Sequence, residues 1–212
     1  MKVLSEGSAK IKAPASGKIS KSMGVFYNPV MNLNRGISVL LLGSISAKNL
    51  QIADPLAATG IRSIRFLNEL GKNKIRKVYI NDNSRDAVKL IIENLKLNKI
   101  RNSKKIEVSS HDANLFLLNS KGFDYIDIDP FGTPNPFLDA ACKRLARGGI
   151  LAVTATDTSA LCGTAFKACL RKYWAVPKKD FMMHETGLRI LTRKVQLVAA
   201  QFQNRTLIDP EQ

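Results

Sequence analysis

Four aspartates constrain how this chain can fold. Asp54, Asp82, Asp112 and Asp129 each stand at or just past the end of a short apolar run: Leu50 to Asp54, Val78 to Asn81, Ile106 to Ser109 and Phe123 to Ile128. A fifth run, Ile150 to Thr154, follows. Short apolar runs bounded by turn residues read as strands buried on both faces. Helical spacing fills the gaps between them. Ile64, Phe66, Leu67 and Leu70 follow the first run, Ala87, Leu90, Ile91, Leu95 and Leu97 follow Ser84, and a helix from about Pro136 to Ala146 is stopped by Gly148-Gly149. Strands alternating with helices over short connections predict an α/β fold with a doubly wound, mainly parallel sheet. In such a sheet ligands bind at the carboxyl ends of the strands, near the switch in strand order. The four aspartates fall there.

The flanks add less. The alternation around Ala9 to Ala13 suggests a short edge strand in a polar stretch. Asn28 and Pro29 look like an N-cap and first helical residue. Val30, Leu33, Ile37 and Leu40 then carry a helix to about Leu42, which places Arg35 on its polar, surface side. Leu188, Leu191, Val195, Val198 and Phe202 predict a last amphipathic helix from His184 to Gln203.

With 212 residues, 45% apolar and 24% charged, the chain has the make-up of one folded domain and not of a disordered one. Its longest apolar run, Ile37 to Ile45, is too short to span a membrane. The N-terminus lacks the apolar core of a signal peptide, so a cytoplasmic home is expected. Three cysteines, Cys142, Cys162 and Cys169, form no CxxC pair, and no metal site is expected from them. Cys162 reads as a small buried residue, and His111 and His184 as loop or cap residues. Lys and Arg number 33 against 17 acids, a net charge of +16. A polyanion, most commonly a nucleic acid, is the partner that balance suits.

The loop after the first strand, DPLAATGIRSIRF, has no G-x-G-x-x-G fingerprint. Its Ala57, Ala58 and Gly60 still allow a ligand close to the backbone, beside Asp54. Asp82 is placed to hold a ribose diol, or equally to act as the acid at the N-terminus of the next helix. Asp112-Ala113 suits an adenine edge, or a solvated turn. Asp129-Pro130-Phe131-Gly132 carries the most chemistry. An exocyclic amine on a nucleobase is a weak nucleophile, because its lone pair is delocalised into the ring. A methyl-transfer site for it needs acceptors that grip both N–H bonds. The Asp129 carboxylate and the carbonyl fixed by Pro130 supply them, and an aromatic at Phe131 can stack on the base.

These motifs, with EGSAKI at 6–11, VFYNPVMNLNR at 25–35, NDNSRDAV at 81–88, TATDTSALCGT at 154–164 and HETGLRIL at 184–191, resemble the tRNA guanine-26 N2-dimethyltransferase family in its archaeal form. The resemblance runs from Glu6 to about Leu207. It implies a class I, Rossmann-like, S-adenosylmethionine-dependent methyltransferase acting on the N2 amine of guanine 26 in tRNA, usually twice. It implies that Arg35, Arg62, Asp82, Asp112 and Ala113 hold the cofactor, alongside the Asp54 to Gly60 loop. Arg35 would then meet the methionine carboxylate and leave the surface. Asp129 matches the catalytic acid, and Phe131 and Phe26 the aromatics that clamp the base.

Family members are much longer and carry a C-terminal domain, often with a four-cysteine zinc site. The expectation is therefore a methyltransferase domain over 46–212 that lacks its last strands and the C-terminal domain. Residues 1–45 would be an N-terminal extension serving the cofactor and base site. A second chain would supply the missing part. Two other readings stay open: a half that holds cofactor or RNA without turnover, and an amino-methyltransferase for DNA adenine or another RNA site. The motif of the latter has Pro where Phe131 stands.

Overall fold

The computed structural model describes residues 1–13, 25–101 and 104–202. The chain opens with a hairpin, β1 (Lys2–Glu6) and β2 (Ala9–Ala13), paired antiparallel from Lys2–Ala13 to Glu6–Ala9. Ala9, Ile11 and Ala13 of β2 point into the core, and Lys10 and Lys12 point outward. A 3-10 turn, Pro29–Met31, is capped by Asn28, whose side chain accepts from the Val30 N–H. Helix α1 (Asn32–Ser44) follows.

Five strands build the central sheet: β3 (Leu50–Asp54), β4 (Ile75–Asn81), β5 (Ile106–Ser109), β6 (Phe123–Ile128) and β7 (Leu145–Val153). All pairings are parallel, in the order β5-β4-β3-β6-β7. The winding reverses between β3 and β6, so the switch point lies where Asp54 and Asp129 end their strands. Alternate residues of the central strands serve opposite layers. Ile52 and Tyr125 pack with α2 (Ile61–Glu69), α3 (Arg85–Leu97), α1 and the hairpin. Ala53 and Ile126 pack with α4 (Ala113–Leu118) and α5 (Asn135–Arg144). A third cluster joins α6 (Thr158–Leu161), α7 (Phe166–Tyr173) and α8 (Met183–Ala199) through Leu161, Cys169, Tyr173 and Leu191.

Several expectations need correction. The first helix forms, but its apolar stripe faces outward: Val30 is 81% exposed, Leu33 74% and Leu40 73%. The face turned inward carries Arg35, Ser38, Val39 and Leu42. Buried ion pairs claim that face, so Arg35 is not a surface residue. The α5 helix stops at Arg144, because Leu145 pairs with Phe123 at the start of β7. Gly148-Gly149 therefore does not end a helix. It sits in an irregularity of β7, where Gly148 has φ +72° and a Cβ on Gly149 would meet the Ala146 carbonyl at 2.9 Å. The last helix starts at Met183 and ends at Ala199; Gln203 and Leu207 lie outside the described residues. Leu188 of its expected stripe is exposed, while Ile190, Leu191 and Lys194 turn inward. The strand β1 and the helices α4, α6 and α7 were not anticipated, being short or mostly polar. No described helix is long and apolar enough to cross a membrane.

Candidate active site

The turn from β3 into α2 is held from behind. Ala58 and Gly60 adopt left-handed backbone, φ +48° and +74°. A side chain on Gly60 would also press on Ile91 of α3, its Cβ 3.2 Å from Cγ1. Its small size thus answers to helix packing. The Ala58 N–H donates to Asp82 Oδ2 at 2.8 Å, and the Thr59 carbonyl accepts from buried Asn94 at 3.0 Å.

Arg62, in the first turn of α2, is the hub of the site. Its Nη1 meets Ser38 Oγ at 2.7 Å and Asp127 Oδ2 at 3.2 Å. Its Nη2 donates to Asn34 Oδ1 at 2.8 Å and Asp129 Oδ2 at 2.6 Å. Asp54 lies beside this group and accepts from Ser63 Oγ at 2.7 Å. Burial opposes the Arg62 charge, but Asp127, Asp129 and Asp54 outweigh it and raise the guanidinium above its ordinary value. Burial and the neighbouring Asp127 push Asp54 up to about 7. Burial pushes Asp127 up to about 6, against the pull of Arg62 and the Tyr125 hydroxyl 2.6 Å away.

A second hub is Glu6, at the end of β1. It accepts from Arg35 Nε at 2.7 Å and Nη2 at 2.5 Å, from Tyr27 Oη at 3.1 Å and from Arg65 Nη1 at 3.2 Å. Burial pushes its carboxyl up, but the Arg35 hydrogen bonds and charge prevail and hold it below the usual carboxylate range. Arg35 lines the cleft, and its Nη1 has no hydrogen-bond partner among the described residues.

These opposite shifts give stability a pH optimum. Asp54 and Asp127 are raised, so their contribution is present at low pH and lost as pH rises through about 6 to 7. Glu6 and Glu69 are lowered, so theirs is lost as pH falls below the ordinary 4.5. Asp54→Asn, which keeps an acceptor for Ser63, is expected to melt progressively higher than the parent chain as pH rises from 5 to 8. Thermal melts of both proteins across that range check it. A difference that does not grow with pH would overturn the assignment of Asp54.

Past β6 the backbone turns through Asp129 to Gly132. Gly132, at φ +103°, donates its N–H to Thr156 Oγ1 at 2.7 Å and accepts from the Thr156 N–H at 2.9 Å. This tie leaves Phe131 half-exposed and edge-on to Phe26, ring centroids 5.3 Å apart at 89°. The cleft beside them is lined by Phe26, Arg35, Asp54, Arg62, Asp129 and Pro130, among others. It encloses about 60 Å³, the share of about two waters, so any larger ligand lies along the open strand edge.

Six of the sequence-predicted residues thus line one cleft, with Phe131 stacked at its rim. Asp82, Asp112 and Ala113 do not line it; they continue the same edge over β4 and β5. Asp82 accepts the Ala58 N–H on one oxygen and the Ser84 N–H on the other. Asp112 caps α4, Oδ1 accepting from Asn114 and Leu115. Both have lone pairs to spare for hydroxyl donors. Behind them buried Asn81 ties His111 and Pro55 together, donating to both carbonyls and accepting the His111 N–H.

Sequence reasoning missed Glu6, Asn34, Ser38, Asn81 and Asp127. An acid inside the apolar run FDYIDI was a visible signal for Asp127. Cys162 is half-buried, not buried, with Sγ 3.5 Å from His184 Nδ1 in the first turn of α8. A larger cavity of about 780 Å³ between α3 and β5, lined by Ile92, Leu95, Ile106 and Val108, contains none of the expected site residues.

Comparison with known proteins agrees with this geometry. The family model described as N2,N2-dimethylguanosine tRNA methyltransferase matches residues 7–208. A tRNA (guanine(26)-N(2)/guanine(27)-N(2))-dimethyltransferase of Aquifex aeolicus is 46% identical over 208 residues, 95% of this chain and 52% of that protein. A tRNA (guanine(26)-N(2))-dimethyltransferase of Methanobrevibacter smithii is 47% identical over 206 residues, again 95% of this chain and 52% of its own length. Among solved structures, Trm1 from Pyrococcus horikoshii in complex with S-adenosyl-L-methionine superposes with a TM-score of 0.84 at 41% identity, covering 95% of this chain and 55% of that one. The chain spans about half the length of the curated relatives it matches.

Proposed function

The chain belongs to the N2,N2-dimethylguanosine tRNA methyltransferase family, and from that premise we propose that it transfers methyl groups from S-adenosylmethionine to the exocyclic N2 of guanine 26 in tRNA. The observation that carries the proposal is the meeting of Phe26 and Phe131 beside Asp129 at the switch point, which makes an acceptor flanked by two aromatic faces.

The residues fit the cofactor in order along the strand ends. Arg35 offers its free Nη1 to the methionine carboxylate, a charge-assisted contact that Glu6 orients. Asp82 offers carboxylate oxygens to the ribose hydroxyls, and Asp112 with Ala113 meets the adenine edge. Asp54, Gly60 and the loop between them border the passage. When bound, S-adenosylmethionine supplies an electrophilic methyl on a sulfonium.

At the other end, Oδ2 of Asp129 is held by Arg62, which leaves Oδ1 to accept an N–H of the guanine amine. The Pro130 carbonyl is the second acceptor. Gripped on both N–H bonds, the amine presents its lone pair out of the ring plane. The carboxylate also stabilises the positive charge that grows on N2 as the new bond forms. Phe26 and Phe131 stack on the base, which must leave its helical stack at a cost of a few kcal/mol.

A net charge of +16 fits a tRNA partner, and binding should fall steeply with salt. The half of the relatives' length that this chain does not span is assigned to tRNA grip, supplied in the same protein or by a second chain. Residues 1–45 serve the site through Glu6, Phe26 and Arg35, and residues 46–212 form the methyltransferase domain. The cytoplasm, where tRNA is processed, is the proposed location.

The test is nucleoside mass spectrometry of an unmodified tRNA transcript incubated with the chain and S-adenosylmethionine. N2-methylated guanosine mapped to position 26 is the expected result. Methylation confined to another base, or none from a folded chain that has bound the cofactor, would overturn the reading for this chain alone.

A further inference from the structure

We infer that Arg62 is a positioning residue that aims the Asp129 carboxylate, and is not a ligand of the cofactor. The inference rests on the functional reading above and refines its site. It contradicts what the family resemblance implies for Arg62.

Two guanidinium groups line the cleft, and they are differently engaged. Arg35 spends Nε and Nη2 on Glu6 and the Asn28 carbonyl and keeps Nη1 without a partner among the described residues. Arg62 meets four oxygens with its two Nη nitrogens, as many as those nitrogens have hydrogens: Ser38 Oγ, Asp127 Oδ2, Asn34 Oδ1 and Asp129 Oδ2. To receive a ligand carboxylate, Arg62 would have to release one of them, in a pocket where its side chain is 6% exposed.

The partners also show what Arg62 does. Three of them are behind it and on regular elements: Asn34 and Ser38 on α1, Asp127 on β6. Only Asp129 is ahead of it, one residue past the strand, with its side chain 24% exposed. Left alone, a carboxylate there would turn about its terminal torsion, which is broad and roughly two-fold. A planar guanidinium braced at three points fixes Oδ2 and so fixes where Oδ1 points. A site built this way keeps its reacting group placed by rigid elements instead of by the loop that bears it.

Arg62→Lys separates the two roles. A lysine keeps the charge but is a single point donor and cannot span four acceptors. The expected result is a rate constant for single-turnover methyl transfer to tRNA lowered about 100-fold, the scale of a small misplacement of a reacting group. Calorimetric affinity for S-adenosylmethionine should stay within about twofold, with unchanged stoichiometry, since no cofactor contact is lost. Asn34→Ala removes one brace and leaves the charge. It should show the same split at smaller size, and it decides the matter if Arg62→Lys lowers the stoichiometry by unfolding. Cofactor affinity weakened tenfold or more in a folded variant, or methyl transfer unchanged in Arg62→Lys, would overturn the inference. The affinity readout stands without tRNA. A parent chain that binds no S-adenosylmethionine would instead sink the functional reading.

Discussion

Asp129→Asn lowers methyl transfer by about 1,000-fold in the expected result, the upper range for removing one preorganised electrostatic group. The argument is one of satisfaction. Asp129 has two acceptor oxygens, one taken by Arg62 and one left for the guanine amine. Asparagine has a single acceptor oxygen and an NH2 that only donates. If its oxygen stays on Arg62, its NH2 confronts the amine of the base. If it flips, its NH2 confronts the guanidinium. Either way one donor faces another, and the charge that stabilises the developing ammonium is gone. Single-turnover transfer of a labelled methyl group to tRNA measures the effect. A loss below tenfold, with cofactor still bound, would sink the assigned role of Asp129.

Glu6→Ala is expected to cost about 3–5 kcal/mol of folding stability, the size seen when one partner of a buried ion pair is removed. The carboxylate is almost fully buried and is shared by Arg35 and Arg65, both also buried. Its removal leaves two guanidinium groups that water reaches poorly. Arg65 retains Glu69, but Arg35 keeps only a backbone carbonyl. Against a typical total of 5–15 kcal/mol, the loss is a large fraction. Urea unfolding of parent and variant gives the number, and a change under 1 kcal/mol would show that the hairpin is not anchored there. Cofactor affinity should fall as well, because Glu6 orients Arg35.

The sheet was legible because its signals are local and mutually consistent. Apolar runs such as Ile52-Ala53 and Tyr125-Ile126 are strands buried on both sides, and Ser84 caps α3 as its side chain predicts. The site was legible only where chemistry coincides with a strand end, as at Asp54, Asp82 and Asp129. Arg35 shows why the rest was not. Helical periodicity ranks faces by hydrophobicity, and by that measure Val30, Leu33 and Leu40 should turn inward. The structure turns Arg35 and Ser38 inward, because Glu6 and Arg62 meet them there. Those partners lie 29 and 24 residues away, beyond the reach of any sequence window. Family resemblance identified Arg35 where periodicity could not. It said nothing of Asn34 or Asp127, and the structure gives Arg62 partners the resemblance did not imply.

The opening hairpin has a consequence for how the molecule is made. Its backbone is stapled to residues synthesised long after it. Lys12 meets Asn94 across 82 positions, and Lys10 meets Asn98 across 88. A ribosome adding about 5–20 residues per second therefore holds the hairpin waiting for several seconds before α3 emerges. During that wait Ile11 has no core to enter, and Glu6 has no Arg65 to meet. The segment that leaves the ribosome first is among the last to dock. Arg35 is braced only when it does, so the nascent chain acquires a competent cleft late in its synthesis, after β3, β4 and their helices are in place.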